Sequence, residues 1–387
     1  MPQSIRVKLD ASGWRDVLND DESKTSDRLR ERLTHSVLAE NVVCLIGSGA
    51  SIAVGGPSMN DLWGVASRES GFNEALTQAG YKVPADGKGN VEEFLSRCQM
   101  VEEFNSSGPD LKTFLKGVEM AIVSKCRSFL TKETTLTPHC DLLRRLARRP
   151  NDKSRVRVFT TNYDVCLEHA AGLIGLPVID GFSHTYPQRF DGCHYEYDLV
   201  RRVPNQREPD YVDGVFHLYK LHGSVDWKSS KGDIERDHAT EATVMIYPRA
   251  TKYQLSYRPP FLEMMARFQF SLRQPNTTLF AIGFGFNDDH LSEPILSALA
   301  SNPHFNLVIA TKALETSAEE TASGEANSYL NRFSKLAGND AVENVLLLDC
   351  DFSQFVSLIP NPAGQSESQR FAELVKALRV EDATCKK

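Results

Sequence analysis

Several things are missing from this chain of 387 residues, and each absence sets aside a class of protein. Its eight cysteines are scattered and contain no Cys-x-x-Cys pair, which argues against a structural zinc of the usual spacing and fits buried thiols in a reducing cytosol. No apolar run approaches the ~20 residues of a membrane span, and no leader of basic then apolar residues opens the chain, so neither a span nor export is expected. Positive charge is not in excess. With 44 Lys and Arg against 51 Asp and Glu, the net charge of −7 does not point to direct binding of nucleic acid. There is no low-complexity tract and no repeat with a period of about 20 to 50 residues, so a repeat array is not expected. What remains is a soluble, cytoplasmic, folded protein.

What is present reads as strands alternating with helices. Hydrophobic residues make up 41% of the chain, enough for one large α/β domain with an inserted subdomain, or for two domains. Strands are expected over 41–46, 156–160, 176–179, 215–221, 243–247, 278–282, 305–310 and 344–348. Several are near-continuous apolar runs, the pattern of a parallel sheet covered on both faces, so the expected fold is a doubly wound, Rossmann-like α/β sheet. Roughly 110 residues separate positions 46 and 156, far more than one crossover helix needs. Helical periodicity over 62–76, 91–104, 111–129 and 139–147 points to an inserted helical subdomain over 61–136, flanked by a Rossmann-like domain over 36–60 and 137–387. Residues 1–35 form an N-terminal extension in which the alternation from Ile5 to Leu9 suits a short edge strand or a docking arm. The intervals 183–214 and 228–240 read as loops or a lid, and 381–387 as a frayed end. The basic run Arg144, Arg145, Arg148, Arg149, Lys153, Arg155 and Arg157 reads as a solvated helix end and loop.

Four short motifs follow strands. The first is Gly47-Ser48-Gly49-Ala50-Ser51, where two glycines separated by one residue suit a tight turn at which backbone approaches a phosphate. A glycine-rich turn without a ligand accounts for it equally well, since the spacing is not Gly-x-Gly-x-x-Gly. The second is Thr160-Thr161-Asn162-Tyr163-Asp164, at the strand end where open α/β sheets place ligand-contacting groups. Asn162 and Asp164 also suit the cap of a helix starting near Val165; Asp164 is assigned to the cap and Asn162 to a ligand. The third is Leu221-His222-Gly223, whose imidazole can exchange a proton near neutral pH. The fourth runs from Ile282 through Gly283 and Gly285 to Asn287 and Asp288, and is either a ligand-contacting turn or a turn closed by a helix cap.

In this order, with a strand before each, the motifs resemble the nucleotide-binding and catalytic signature of the sirtuin superfamily over roughly residues 36 to 355. The resemblance implies that NAD is bound, with Gly47, Ser48, Gly49, Ala50 and Ser51 around the pyrophosphate, Thr161 and Asp164 as further contacts, and the Gly283 and Gly285 turn at the adenosine ribose. It implies that Asn162 orients the water or ribose, that His222 takes a proton, and that no metal is needed. Two departures matter. The zinc-ribbon cysteines of protein deacylases are absent, and Ile52-Ala53-Val54-Gly55-Gly56-Pro57-Ser58 lacks the Asp-Phe-Arg that those enzymes carry. That combination resembles the bacterial antiphage-defence branch, whose members hydrolyse NAD and deplete the infected cell. A chain of this length resembles the sirtuin-like partner of HerA-type hexameric ATPases, itself a large homo-oligomer, with residues 1–35 as a candidate contact. The implied activity is NAD+ glycohydrolase. The alternatives are an NAD-dependent protein deacylase and a catalytically weak NAD- or ADP-ribose-sensing subunit of a partner ATPase. No carboxylate cluster in the sequence stands out as a holder of nuclease metal ions.

Overall fold

The computed structural model describes residues 5–10, 13–17, 24–105, 109–150, 152–202, 204, 209–230, 232–238, 243–245, 260–318, 328–337, 339 and 343–361. Its strands are β1 (Arg6–Lys8), β2 (Trp14–Asp16), β3 (Asn41–Ile46), β4 (Val156–Thr160), β5 (Val178–Ile179), β6 (Val200–Arg201), β7 (Asp210–Tyr211), β8 (Phe216–Lys220), β9 (Gly223–Ser230), β10 (Asp233–Arg236), β11 (Thr243–Met245), β12 (Thr277–Ile282), β13 (Asn306–Thr311) and β14 (Val345–Asp349). Nine of them form one sheet in the order β2-β1-β14-β13-β12-β3-β4-β8-β5. The seven strands from β14 to β5 in that order run parallel, while β1 joins β14, and β2 joins β1, in antiparallel register.

The apolar strands form this sheet because alternate side chains enter two separate cores. On β3, Val42, Cys44 and Ile46 face one core and Val43 and Leu45 the other. The helices are α1 (Lys24–Val37), α2 (Ser48–Ile52), α3 (Met59–Ala66), α4 (Phe72–Gln78), α5 (Val91–Asn105), α6 (Pro109–Ser128), α7 (Thr137–Ala147), α8 (Cys166–Ile174), α9 (Phe261–Leu272), α10 (Asp289–Ser301), α11 (Leu314–Ala318), α12 (Ser328–Ala337) and α13 (Phe352–Leu358). The first core is closed by α1, α7, α8 and α13, the second by α9, α10 and α12. The doubly wound α/β arrangement expected from the apolar runs is therefore what the chain adopts.

Helices α3 to α6 pack round a third core of their own, in which Trp63, Phe72, Phe94 and Phe114 meet mostly edge to face. A single helix over 62–76 is corrected to two. A Ser58–Asp61 capping box starts α3, and Gly71, at φ 89°, turns the chain before α4. Tyr163, from the turn after β4, inserts into this third core and ties the helical layer to the sheet.

Three further expectations change. Within the hydrophilic interval 228–240, residues 228–230 and 233–236 are strand rather than loop, because β9 and β10 pair antiparallel in a small sheet with β11, with Trp227 opposite Arg236 and Lys228 opposite Glu235. Of these paired residues only Trp227 is buried, so the sequence reads as polar. The Ile5 to Leu9 alternation places Ile5, Val7 and Leu9 in the first core, and β2 rather than β1 is the outer strand. The basic run is not simply solvated: Arg149 is buried and donates to the carbonyls of Val37, Ala39 and Glu40 beyond α1, and Arg155 forks onto Asp198. Carbonyls at a helix end need donors, and a guanidinium supplies several. Positions 246–247 of the expected strand, and 381–387, lie outside the described residues.

Candidate functional site

The strand order reverses beside β3. The chain proceeds from β3 to β4 on one side, and returns later to β12 on the other, which opens a crevice at the carboxyl ends of these strands. The turn after β3 and the turn after β12 interlock there. Gly47 N–H donates to Ile282 at 2.9 Å and Gly49 N–H to Gly283 at 3.0 Å. A Cβ on Gly47 would lie 2.5 Å from the Gly283 carbonyl oxygen, and one on Gly49 would lie 2.7 Å from Gly283 Cα. Gly283 itself sits at φ 58° and donates its N–H to Ala310 at 2.8 Å. These glycines thus serve the close approach of two backbones to each other. Gly47, Gly49 and Gly283, together with the buried Ala50, whose N–H goes to Gly47, are not among the residues lining the cavity, and their N–H groups are bonded to backbone carbonyls. Helix α2 is one short turn of five residues, too short to add an appreciable dipole.

The turn after β4 is fixed by neutral hydrogen bonds. Thr160 Oγ1 donates to the Ile46 carbonyl at 2.9 Å and accepts from Asn162 N–H at 3.1 Å. The Asn162 amide spends both of its N–H groups on the first turn, reaching the Gly47 carbonyl at 3.0 Å and Ser51 Oγ at 2.8 Å. Ser51 Oγ donates in turn to Asp164 Oδ2 at 2.6 Å, while Asp164 Oδ1 accepts from Cys166 N–H at the start of α8. Asp164 therefore bonds the first residue of the helix and joins the site, while the N-cap position itself is Val165, with no side-chain cap bond.

His222 follows β8, and Gly223, at φ 86°, lets the chain bend at once into β9. The imidazole is 5% exposed, with Nε2 3.3 Å from Asp288 Oδ2. Asp288 caps α10 with its other oxygen, which accepts from His290 N–H at 3.0 Å.

These turns enclose a cavity of about 130 Å³. Ser48, Ser51, Thr161, Asn162, Asp164, His222, Gly285, Asn287 and Asp288 line it from the sheet side, and Glu92 and Cys126 from the helical layer. Three carboxylates and one imidazole border it, and among the described residues no lysine or arginine does. A larger cavity of about 540 Å³ is bounded by α1, α7 and α13; it holds none of these groups. Among the described residues no cluster of three or more His, Cys, Asp or Glu could hold a metal ion, and no helix is long and apolar enough to cross a membrane.

Behind the 160–164 turn lies a buried charged group that sequence reasoning did not single out. Lys220 Nζ donates to the carbonyls of Tyr163 and Asp164 and lies 3.1 Å from Glu168 Oε1. Burial opposes its charge, but the carboxylates of Glu168, Asp226 and Asp164 together raise its pKa above the ordinary lysine value. Burial likewise opposes ionisation of Asp226, yet Lys220, the Ser224 hydroxyl and Arg236 hold its carboxyl below the usual range. The available signal was a lysine closing the otherwise apolar and aromatic run of β8. Asp288 was legible only as a cap.

A family model described as a SIR2-like domain matches residues 156–333, which contain the second, third and fourth motifs but not the first. No curated protein matches the sequence. Among solved structures, the chain is similar to a Sir2 His-to-Ala variant with a deacetylated p53 peptide and 3′-O-acetyl ADP-ribose, at 12% identity over 87% of this chain and 99% of that one, with a TM-score of 0.42. It is similar to a Sir2 homolog–NAD complex at 13% identity over 85% and 92%, with a TM-score of 0.41. A third is Sir2Tm bound to a propionylated peptide, at 12% identity over 89% and 100%, with a TM-score of 0.39.

Proposed function

We propose that this chain is an NAD+ glycohydrolase that splits NAD+ into nicotinamide and ADP-ribose. One arrangement carries the reading: Asn162 and His222 border a single cavity at the strand ends beside the reversal of strand order, in a lining rich in carboxylates. The nicotinamide of NAD+ is a pyridinium, so breaking the C1′–N bond returns the electron pair to the ring nitrogen and needs no proton. Positive charge moves onto C1′ and the ribose ring oxygen. Glu92, Asp164 and Asp288 give the cavity a field that suits a cation, and burial strengthens it. Water then adds to C1′ and gives up a proton to His222, which releases it to solvent.

Both N–H groups of the Asn162 amide are used within the protein, so its Oδ1 is the atom that would accept from the water or a ribose hydroxyl. Thr161 and Asp164 would lie along the same ligand. Contact with the pyrophosphate would fall to Ser48 and Ser51, and contact with the adenosine ribose to Gly285, since these line the cavity while the N–H groups of Gly47, Gly49, Ala50 and Gly283 are bonded to backbone. In the cell, we propose an antiphage effector that depletes NAD, built as a homo-oligomer with a HerA-type ATPase as partner.

The test is NAD+ consumption by the purified protein, alone and with its co-purified ATPase, beside Asn162→Ala and His222→Ala. Release of nicotinamide and ADP-ribose, reduced about 10²- to 10⁴-fold in both variants, is the expected result. Transfer of an acyl group from a peptide to ADP-ribose would replace this reading with the deacylase one. Tight binding of NAD or ADP-ribose without turnover would replace it with a sensing subunit.

A further inference from the structure

We infer that Asp288 is a positioning residue for His222, so that the base of the site is a carboxylate–imidazole pair assembled from opposite sides of the strand reversal. The inference rests on the catalytic role proposed for His222. His222 follows β8 and Asp288 follows β12, two strands separated in the sheet by β3 and β4, yet Nε2 and Oδ2 stand 3.3 Å apart with both residues nearly buried.

The cap of α10 does not explain a carboxylate at this position. The cap bond is made by Oδ1, which accepts from the His290 N–H at 3.0 Å, and asparagine or serine would cap about as well. Oδ2 faces the imidazole. The backbone leading to it is also unusual. Phe286 has φ 54°, a conformation strained for a bulky residue, and its buried ring is held by Phe284 at 4.9 Å and Phe333 at 5.2 Å. Aromatic packing thus maintains a strained residue two positions before Asp288, where the chain turns back toward His222.

A carboxylate on Nε2 fixes the proton there and leaves the lone pair on Nδ1, the nitrogen that would take the proton of the attacking water. The contact is longer than the ~2.7–2.9 Å of a charge-assisted bond; such pairs tighten when substrate fills the site.

The experiment compares wild type with Asp288→Asn and Asp288→Ser, both of which keep a capping oxygen, and with Asp288→Ala, which does not. Two readouts are taken on the full-length protein: steady-state NAD+ hydrolysis, and the ¹⁵N chemical shifts of the His222 ring at a pH where it is neutral. We expect wild type to carry the proton on Nε2. Asparagine and serine should fold as wild type does, lose that single tautomer, and lower kcat about 10²-fold or more while KM changes less than about 3-fold. A role confined to the cap predicts instead that only the alanine variant changes. Unchanged ring shifts, or unchanged kcat, in both capped variants overturns the inference. Should wild type fail to hydrolyse NAD+, the glycohydrolase reading falls by itself, and the ring shifts still decide whether Asp288 sets the state of His222.

Discussion

The 160–164 turn has two unlike sides. Toward the cavity it is held by neutral groups, the Asn162 amide on Gly47 and Ser51 and the Thr160 hydroxyl on Ile46. Away from the cavity it is held by charge, with the Lys220 ammonium on two of its carbonyls, Glu168 beside the ammonium, and Asp226 linked outward to Arg236 and Asp180. The neutral groups meet the cavity, where Asp164 is the one carboxylate of the turn, and on the other side Lys220 and Asp226 are buried. The difference teaches how a turn is made rigid without spoiling the site it serves: strong, buried pairs are placed where a ligand cannot compete for them, and adaptable hydrogen bonds where it can.

The comparison is broken most severely at Lys220. Replacing it in Lys220→Met leaves Glu168 without its cation and Asp226 with Arg236, and the expected loss is about 3–5 kcal/mol in urea unfolding. Its pH dependence follows from the shifts. The pKa of Lys220 is raised, so its contribution is complete below the ordinary value of 10.5 and is lost as pH rises through the higher folded value. That of Asp226 is depressed, so its contribution is present above the ordinary 3.8 and disappears as pH falls through the lower folded value. Lys220→Met should weaken both limbs.

Two histidines, His139 buried and His217 half-buried, give the next effect. Burial pushes His139 and His217 down to about 4, and in His139 a nearby Asp164 only partly offsets it. Each is neutral in the fold and takes up a proton more readily when unfolded. Stability is therefore full above the ordinary 6.5 and falls as pH drops toward 4, by up to roughly 3 kcal/mol for each. His139→Leu, beside Phe352, should flatten this limb in thermal melts between pH 7 and 4.5 without touching the alkaline limb set by Lys220.

The two sides also differ in how well they could be read. The neutral side announces itself: Gly47 to Ser51, Asn162 and His222 are polar or small residues at the ends of apolar runs, where a sheet offers its ligand site. The strands were legible for the same reason, since a strand buried on both faces must be apolar throughout. The charged side was not, because Lys220, Glu168 and Asp226 come from a strand, a helix and a ribbon, and nothing local distinguishes a buried lysine from a solvated one. The purpose of the glycines was open in the sequence for a related reason. Two glycines around Ser48 fit either a phosphate or another backbone, and the partner turn at Gly283 lies far along the chain. The ribbon of β9 and β10 was missed because its paired residues are mostly polar and show no alternation of burial.

That partner turn predicts the third effect. Gly49→Ala drives a methyl to 2.7 Å from Gly283 Cα, where backbone rather than a flexible side chain must yield. The expected cost is about 1–3 kcal/mol. Because the shift spreads to Asn162 through the Gly47 carbonyl, kcat should fall as well. Unfolding by urea and the NAD+ assay read the two separately.

The smallest effect on stability should come from the joint between the two sides. Ser51 Oγ accepts from Asn162 and donates to Asp164, so Ser51→Ala removes a side-chain oxygen that bridges them. Ser51 borders the cavity, so water can replace the hydroxyl, and the cost to folding should be near the value of one hydrogen bond, about 1 kcal/mol. The amide of Asn162 would keep Gly47 but lose its second anchor, and a loosened Asn162 should lower kcat about 10-fold. In a double-mutant cycle with Asn162→Ala the kinetic losses should not add, since both changes disable the same oxygen. Additive losses, or an unfolding penalty as large as that of Lys220→Met, would mean that charge and chemistry are not separated across this turn, and that Ser51 belongs to the scaffold as much as Lys220 does.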